Sequence, residues 1–138
     1  MGDRIVAFLA LLLVFCFFSL MAFSEVNSDY ISDVFSDLVV EQVQGWGRLG
    51  LDTAVDPADG RPPSPLRIGE EVYPKGLGHH ATGALVFGLP ENVYTVFRAG
   101  AGVHWQGGGR GSVVFQVFVD GEKRFDSGVM TDSDLAKP

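Results

Sequence analysis

The run Ser112–Val119, followed directly by Asp120-Gly121, constrains the fold of this chain more than any other part of its sequence. Valine and phenylalanine occupy alternate positions within the run, and they fall on both faces of the strand that this pattern predicts. Asp-Gly between two such runs predicts a tight hairpin, with 123–126 as the returning strand, because both turn residues must tolerate a positive φ. Apolar residues on both faces predict a central strand, in which Gln116 needs a hydrogen-bonding partner.

The rest of the chain after residue 24 repeats this pattern of short apolar runs. No helical period is sustained there, and runs rich in valine or phenylalanine alternate with Gly, Pro and Asp. Such a sequence is typical of an all-β sandwich or barrel. Strands are predicted at 38–43, at 66–73 as a bent strand or hairpin broken at Gly69, and at 84–89 and 94–101 as an antiparallel pair. Residues 56–65 hold four of the seven prolines, which predicts a surface loop.

The first 24 residues differ in kind from the rest. Arg4 precedes an almost unbroken apolar run, 5–23, which as a leader helix would be just long enough to cross a bilayer. Small residues up to Ser24 favour a signal peptide, 1–24, that is cleaved before Glu25, and the alternative is an uncleaved membrane anchor. In either case we expect the remainder to be exported, and therefore to be secreted or held at the cell surface.

The exported part is predicted to be a linker, 25–35, and one small acidic domain, 36–138. Cys16 is the only cysteine and lies in the leader, so the domain can form no disulfide. The leader carries one Asp and one Arg, so the net charge of −7 falls on the exported part. Nucleic acid is excluded as a partner because its binding requires a basic surface, and a neutral glycan fits better. A membrane is expected as a partner only if the leader stays uncleaved.

Four short strings stand in one order along the chain: Phe35-Ser36-Asp37-Leu38, Gly45-Trp46-Gly47, Tyr73-Pro74-Lys75-Gly76-Leu77-Gly78-His79-His80-Ala81, and the hairpin string 111–121 that runs on to 125–130. Together they resemble the NPCBM module, a carbohydrate-binding domain named from family 98 glycoside hydrolases. The resemblance implies a galactose-binding-like jelly-roll β-sandwich, in which two antiparallel sheets pack together and their loops gather at one end. It also implies an association with glycans.

In that family the chain continues beyond Gly128-Val129-Met130-Thr131 into further strands, one of which is an inner strand. The resemblance therefore implies a module that is C-terminally incomplete and lacks its final strands, as a gene fragment or as a genuine short protein. A missing inner strand leaves backbone groups unpaired along an edge of a sheet. We accordingly expect that the isolated product is poorly stable or aggregates.

The loop 104–110 carries most of the residues that are predicted to contact a ligand. Where many members of that family have an acidic run, this chain has His104, Trp105, Gln106 and Arg110 among glycines. An indole face can cover a pyranose while neighbouring donors and acceptors bind its hydroxyls. These four residues are therefore candidate carbohydrate-binding residues. The alternative is that Trp105 folds back as a lid on the core.

Two of the shared strings carry further aromatic residues. His80 matches the histidine of the family and is a fifth candidate for contact with a glycan, the other interpretation being a structural histidine near the Lys75 turn. Its neighbour His79 would point to the opposite face, so the pair cannot easily bind one metal. Trp46 stands between glycines that let the backbone pack closely, and it is predicted to plug the core.

The sequence offers no motif for catalysis. Its carboxylates, such as Asp52 and Asp56, lie mostly in turns, and no nucleophile elbow, His-x-x-x-His pair or phosphate loop occurs. No cofactor is expected. Calcium at 104–110 is disfavoured because hard oxygen ligands are scarce there. A structural calcium ion near Asp52 and Asp56 remains an alternative. The prediction is a non-catalytic module that binds a glycan or polysaccharide through loop aromatics. The alternative is a structural or protein-interaction β-sandwich without a sugar site.

Overall fold

A computed structural model describes residues 28–105 and 111–138; residues 1–27, which include the predicted leader, and residues 106–110 lie outside the described residues. The described part is all-β, with one single-turn helix. The elements in chain order are α1 Phe35–Leu38, β1 Val39–Val43, β2 Gly50–Leu51, β3 Leu66–Ile68, β4 Glu71–Tyr73, β5 Leu77–Gly78, β6 Ala84–Phe87, β7 Ser112–Val119 and β8 Glu122–Thr131. No helix in this part of the chain is long and apolar enough to span a membrane.

The strands form antiparallel pairs rather than one continuous sheet. β1 pairs with β6, β2 with β5, β3 with β4, and β7 with β8. Two of these pairs, β3–β4 and β7–β8, are hairpins of neighbouring strands, and the other two join segments that are distant in the sequence. The described residues are therefore held together by two local hairpins and two long-range pairings.

The predicted hairpin at Asp120-Gly121 is confirmed. Asp120 has a φ of 51° and Gly121 a φ of 81°, as the turn chemistry requires. The partner predicted for Gln116 is Asp126, whose Oδ2 accepts a hydrogen bond from Gln116 Nε2 at 2.8 Å. Hydrogen bonds from Lys123, from the backbone N–H of Gly128 and from Gln116 hold the pKa of Asp126 well below its ordinary value.

The prediction that this run is a central strand is wrong for the described residues. Among 28–105 and 111–138, β7 pairs only with β8. One face of β7, which includes Val113 and Phe115, is half-buried, whereas Val114 and Phe118 on the other face are exposed. An alternating pattern that is apolar on both sides does not distinguish a strand with two neighbours from a ribbon with an apolar outer face.

The predictions for the middle of the chain have mixed outcomes. The hairpin broken at Gly69 is confirmed as β3–β4, where Gly69 has a φ of 58°. Residues 56–65 form a loop as predicted, anchored by isolated bridges to Asp56 and Pro65 at its two ends. The antiparallel pair 84–89 with 94–101 is wrong, because β6 pairs with β1 and residues 94–100 form no strand. The turn at Pro90 does form, but no hydrogen-bonded ladder follows it.

The hydrophobic core of the described residues is small. Its buried apolar side chains are Phe35, Leu38, Ala54 and Met130. The helix α1 contributes two of these, and the ring of Phe35 packs edge-on against Phe87 on β6 with centroids 5.7 Å apart. This edge-to-face contact is a favourable arrangement for aromatic rings, and it fixes α1 on the β1–β6 pair.

Candidate functional site

The segment His104-Trp105 runs alongside β3 and is fixed there by two hydrogen bonds. The backbone N–H of Trp105 donates to the carbonyl oxygen of Arg67 at 2.9 Å. In the reverse direction, the backbone N–H of Arg67 donates to Nδ1 of His104 at 3.2 Å. The imidazole thus takes the place that a backbone carbonyl would have in a regular ladder, and it brings Trp105 to the edge of the β3–β4 hairpin.

These contacts also define the protonation state of His104. Since Nδ1 accepts a hydrogen bond, the proton of the neutral ring is on Nε2, which lies 3.3 Å from Oγ of Ser64 and can donate to it. Partial burial lowers the pKa of His104, and the positive charge of Arg67 acts in the same direction. The ring is therefore neutral near pH 7 and serves as an internal brace between β3 and the proline-rich loop.

The guanidinium of Arg67 lies over the indole of Trp105. Its Cζ is 4.2 Å from the ring centroid, which is the geometry of a cation–π contact. Its Nε donates to the carbonyl oxygen of Gly69 in the hairpin turn at 2.8 Å. Arg67 is consequently held from two sides, by the aromatic ring and by the turn of its own hairpin.

These residues line a pocket of about 300 Å³. The lining residues are Ser64, Pro65, Arg67, Val72, His104 and Trp105. Arg67 and Val72 are directly opposite each other in the β3–β4 register, so they present their side chains on the same face of the hairpin. The pocket therefore combines an apolar wall, one cation and two hydrogen-bonding side chains, at the lower end of the size range of small-molecule sites.

A larger depression, of about 540 Å³, lies on the opposite face of the same hairpin. Ile68, Glu71 and Tyr73 line it, and these residues alternate with Arg67 and Val72 along the strands. The Tyr73 hydroxyl donates to Oε2 of Glu71 at 2.8 Å, and this bond raises the pKa of Tyr73. Because these two polar groups satisfy each other, they offer a ligand less than the groups of the smaller pocket.

The structure brings together two of the five residues predicted from the sequence. His104 and Trp105 are neighbours in the pocket, with Trp105 41% exposed, so it is not a buried lid. Gln106 and Arg110 lie outside the described residues. His80 is exposed and packs its ring against Trp46, with centroids 5.6 Å apart and a tilt of 58°. No hydrogen bond or ring contact within the described part joins His80 to the pocket.

The prediction that Trp46 plugs the core is wrong, because its side chain is 53% exposed. The close packing expected of its neighbours does occur, but it involves the backbone. A Cβ at Gly45 would stand 2.8 Å from the carbonyl oxygen of Ala81, and one at Gly47 would stand 2.6 Å from that of Asp56. The glycines pack inward and the indole is left on the surface.

Arg67, which the sequence analysis did not single out, is the central residue of the pocket. The signal in the sequence is weak: a single arginine between Leu66 and Ile68 in a short strand. Its importance comes from His104 and Trp105, 37 and 38 positions further along the chain, which pack beside β3 only in the folded state. Ser64 likewise carries no signal in the sequence, because a serine in the proline-rich loop looks like an ordinary loop residue.

The described residues contain no group of three or more His, Cys, Asp or Glu side chains that could hold a metal ion. Asp52 and Asp56, around which calcium was left open, are both engaged with cations. Lys75 Nζ is 3.0 Å from Oδ2 of Asp52, and Arg48 is 3.0 Å from Oδ2 of Asp56. The other oxygen of each carboxylate accepts a backbone N–H, that of Gly76 at 3.0 Å for Asp52 and that of Ala58 at 2.7 Å for Asp56.

Comparison with known protein families gives a match to the model described as the NPCBM/NEW2 domain, over residues 28–138. Searches of curated proteins and of solved structures gave no match. The matched range contains all the strands of the described part and both sides of the pocket.

Proposed function

The chain belongs to the NPCBM/NEW2 domain family, and on that premise we propose that it is an exported, non-catalytic carbohydrate-binding module. Its glycan site is the pocket lined by Arg67, His104 and Trp105. The single observation that carries the assignment is that the family match coincides with a pocket in which an aromatic ring, a cation and neutral hydrogen-bonding groups converge. In this proposal the strand pairs belong to a jelly-roll sandwich, and the pocket lies on its loop side.

The composition of the pocket supports a role in binding a sugar. Pro65 and Val72 offer an apolar wall for the carbon-bound face of a pyranose, and Ser64 and Arg67 supply polar atoms for its hydroxyls. Its volume of about 300 Å³ suits one sugar ring rather than a long stretch of polysaccharide. Trp105 is half exposed at the pocket, where it can be covered by a ligand.

The same composition supports binding without catalysis. Glycoside hydrolysis generally needs a pair of carboxylates on the two sides of the scissile bond. The residues that line this pocket in the described part include no Asp or Glu. A bound glycan would therefore meet no acid and no nucleophile of the usual kind.

The leader supports export, and its cleavage or retention decides whether the module is released or stays attached to a membrane. An apolar run at 5–23 after Arg4 fits a signal peptide that is cleaved after Ser24, which would release the module, and an uncleaved run would anchor it in a membrane. N-terminal sequencing of the exported protein distinguishes the two forms: a new terminus at Glu25 supports release, and an intact leader in the membrane fraction supports the anchor.

The test of the binding function is a glycan array probed with the exported protein. We expect binding to at least one class of glycan, a loss of about tenfold or more in affinity in Trp105→Ala, and no change in Trp46→Ala. Trp46 is the matched control, because it is the other tryptophan and is also exposed. Absence of binding at millimolar glycan, in protein whose fold is verified by near-UV circular dichroism, would contradict the proposal.

A second candidate function, a protein-interaction domain, is favoured by one surface. Val114, Phe118 and Val129 on the outer side of β7–β8 are exposed, and apolar side chains grouped on one face are typical of contact surfaces. If this is the function, replacement of Phe118 by Ser would weaken binding of a protein partner. Trp105→Ala would then leave that binding unchanged.

A further inference from the structure

We infer that the pocket selects a sugar that carries a carboxylate, such as a uronic acid residue, and that Arg67 is the residue that binds this group. The inference rests on the proposed carbohydrate-binding function and specifies the class of glycan. It replaces the neutral glycan expected from the overall charge, because the charge inside the pocket differs in sign from that of the whole chain.

The first argument is the pairing of the arginines. Arg48, Arg61 and Arg124 each form an ion pair with a nearby carboxylate, with Asp56, Asp59 and Glu122 respectively. Arg67 is half-buried, and no carboxylate among the described residues pairs with it. Arg98, which also has no such pair in this part of the chain, is exposed to solvent. In a chain with 17 acidic residues, a part-buried arginine without an acidic partner is unusual, since partly desolvated charges are normally paired.

The second argument is the orientation of the guanidinium. Nε is occupied by the carbonyl oxygen of Gly69, and one face of the group lies on the indole of Trp105. Within 28–105 and 111–138, the two terminal nitrogens have no hydrogen-bond acceptor. These nitrogens form a planar fork of donors, and such a fork matches the two oxygens of a carboxylate.

The third argument concerns the other groups around the pocket. His104 is neutral and Ser64 is uncharged, so neither of them repels an anion. Glu71 lies opposite Ile68 in the β3–β4 register and so presents its carboxylate on the other face of the hairpin. Among the described residues that line the pocket, Arg67 is therefore the only charged one.

The stacked geometry also assigns a role to Trp105. The ring face that Arg67 covers is not open to a pyranose, so Trp105 acts first as the support that holds the guanidinium in place. The exposed remainder of the ring can still contact a sugar. Loss of Trp105 would therefore weaken binding partly because Arg67 would lose its orientation.

The experiment compares uronate polymers with their carboxyl-reduced counterparts, which have the same linkages but no carboxylate. The probes are polygalacturonate, alginate and a glucuronan, each paired with its reduced form, measured by calorimetry on the exported protein. We expect at least one uronate to bind roughly tenfold or more tightly than its reduced form. A sulfated polymer without carboxylates, which is anionic through its sulfate groups alone, serves as a control for general attraction between charges.

Variants test whether Arg67 is the residue that binds the carboxylate. Arg67→Met should abolish the preference for the uronate, Arg67→Lys should keep part of it, because the charge stays and the fork is lost, and Arg124→Met should leave it unchanged. Arg124 is the matched control, since it is also an arginine on a strand, and its side chain forms an ion pair with Glu122 away from the pocket. Near-UV circular dichroism verifies that each variant is folded.

Three results would overturn the inference: no uronate binds more tightly than its reduced form, the sulfated polymer binds as tightly as the best uronate, or the preference survives in folded Arg67→Met. If neutral glycans bind while uronates show no advantage, the carboxylate inference fails and the carbohydrate-binding function stands. If no glycan of either class binds, the proposed function fails as well. The comparison on the unmodified protein decides the first question even if a variant does not fold.

Discussion

The two tryptophans of the chain both stand in glycine-containing segments of the sequence, but their structural surroundings are very different. Each has a histidine beside it in the structure, His80 for Trp46 and His104 for Trp105. Trp46 is the more exposed, at 53% against 41%, yet Trp105 is the one that lines a pocket with an oriented cation. The difference teaches that exposure of an aromatic ring does not by itself mark a binding site. Concavity and fixed polar groups around the ring do.

The histidines show the same contrast. His104 bonds to the backbone N–H of Arg67 and to Ser64, and it therefore builds the pocket. His80 is exposed and only packs against Trp46. The Trp46 region is thus shaped by its backbone, and the Trp105 region by its side chains. Substitutions in the two regions should have correspondingly different consequences.

The largest expected effect comes from the glycines. Gly47→Ala should destabilise the fold by about 2–4 kcal/mol, because Gly47 has a φ of +68° and a new Cβ would stand 2.6 Å from the carbonyl oxygen of Asp56. Gly100→Ala, five positions before Trp105, should change stability by no more than about 1 kcal/mol, since its Cβ would meet only the Cβ of Ala136 at an ordinary contact distance of 3.7 Å. Urea unfolding of both variants measures the difference. Equal losses would show that the Trp46 turn is not the more rigid of the two.

The next effect comes from the histidine that braces the pocket. His104→Ala should destabilise the protein by about 1–3 kcal/mol, because the backbone N–H of Arg67 loses its acceptor in a part-buried position. His80→Ala, at an exposed position, should change stability by no more than about 0.5 kcal/mol. Both values come from the same unfolding assay. A larger loss in His80→Ala than in His104→Ala would contradict the contrast between the two regions.

A smaller effect is expected from pH. Burial lowers the pKa of His104 and of His79 below the ordinary value of 6.5, so the unfolded state binds protons more readily than the folded state. This contribution to stability is present above pH 6.5 and declines as the pH falls below it. Urea unfolding at pH 7.5, 6.5 and 5.5 should show the decline, and His104→Gln should make it shallower.

His79 should account for the decline that persists in His104→Gln, since its pKa shift has the same direction. A slope that is identical in the wild type and in His104→Gln would show that His104 is not held neutral by its surroundings.

The smallest effect is expected in fluorescence quenching. Trp105→Phe leaves Trp46 as the emitter, and Trp46→Phe leaves Trp105. The first variant should be quenched slightly more strongly by acrylamide, in keeping with exposures of 53% and 41%. Addition of a bound glycan should protect only the second variant. Protection of Trp46 instead would show that the ligand binds near Trp46 and not in the pocket of Trp105.

The parts of the fold that could be predicted from the sequence are those encoded by local turn chemistry. Asp120-Gly121 defines the β7–β8 hairpin and Gly69 defines β3–β4, because positive φ values at these positions restrict the residue types. The pairing of 84–89 with 94–101 could not be predicted correctly, since both runs have a strand-like pattern but β6 pairs with β1, more than 40 residues earlier. A periodic pattern shows that a strand can form and does not name its partner.

The site divides in the same way. His104 and Trp105 could be identified because aromatic and polar residues stand together in a glycine-rich segment. Arg67 could not, because its role depends on tertiary contacts with Trp105 and on the carbonyl oxygen of Gly69. Trp46 was assigned to the core because its glycines pack closely, and the structure separates the backbone packing from the position of the side chain.

The most direct test of the central claim, that the pocket of Arg67 and Trp105 is the glycan site, is a titration followed by nuclear magnetic resonance. The chain has two tryptophans, so its spectrum contains two indole N–H signals, which Trp46→Phe assigns. The account predicts that a bound glycan shifts the indole signal of Trp105 and the Nε signal of Arg67 while the signal of Trp46 stays in place. A shift of the Trp46 signal with those of Trp105 and Arg67 unchanged would contradict it.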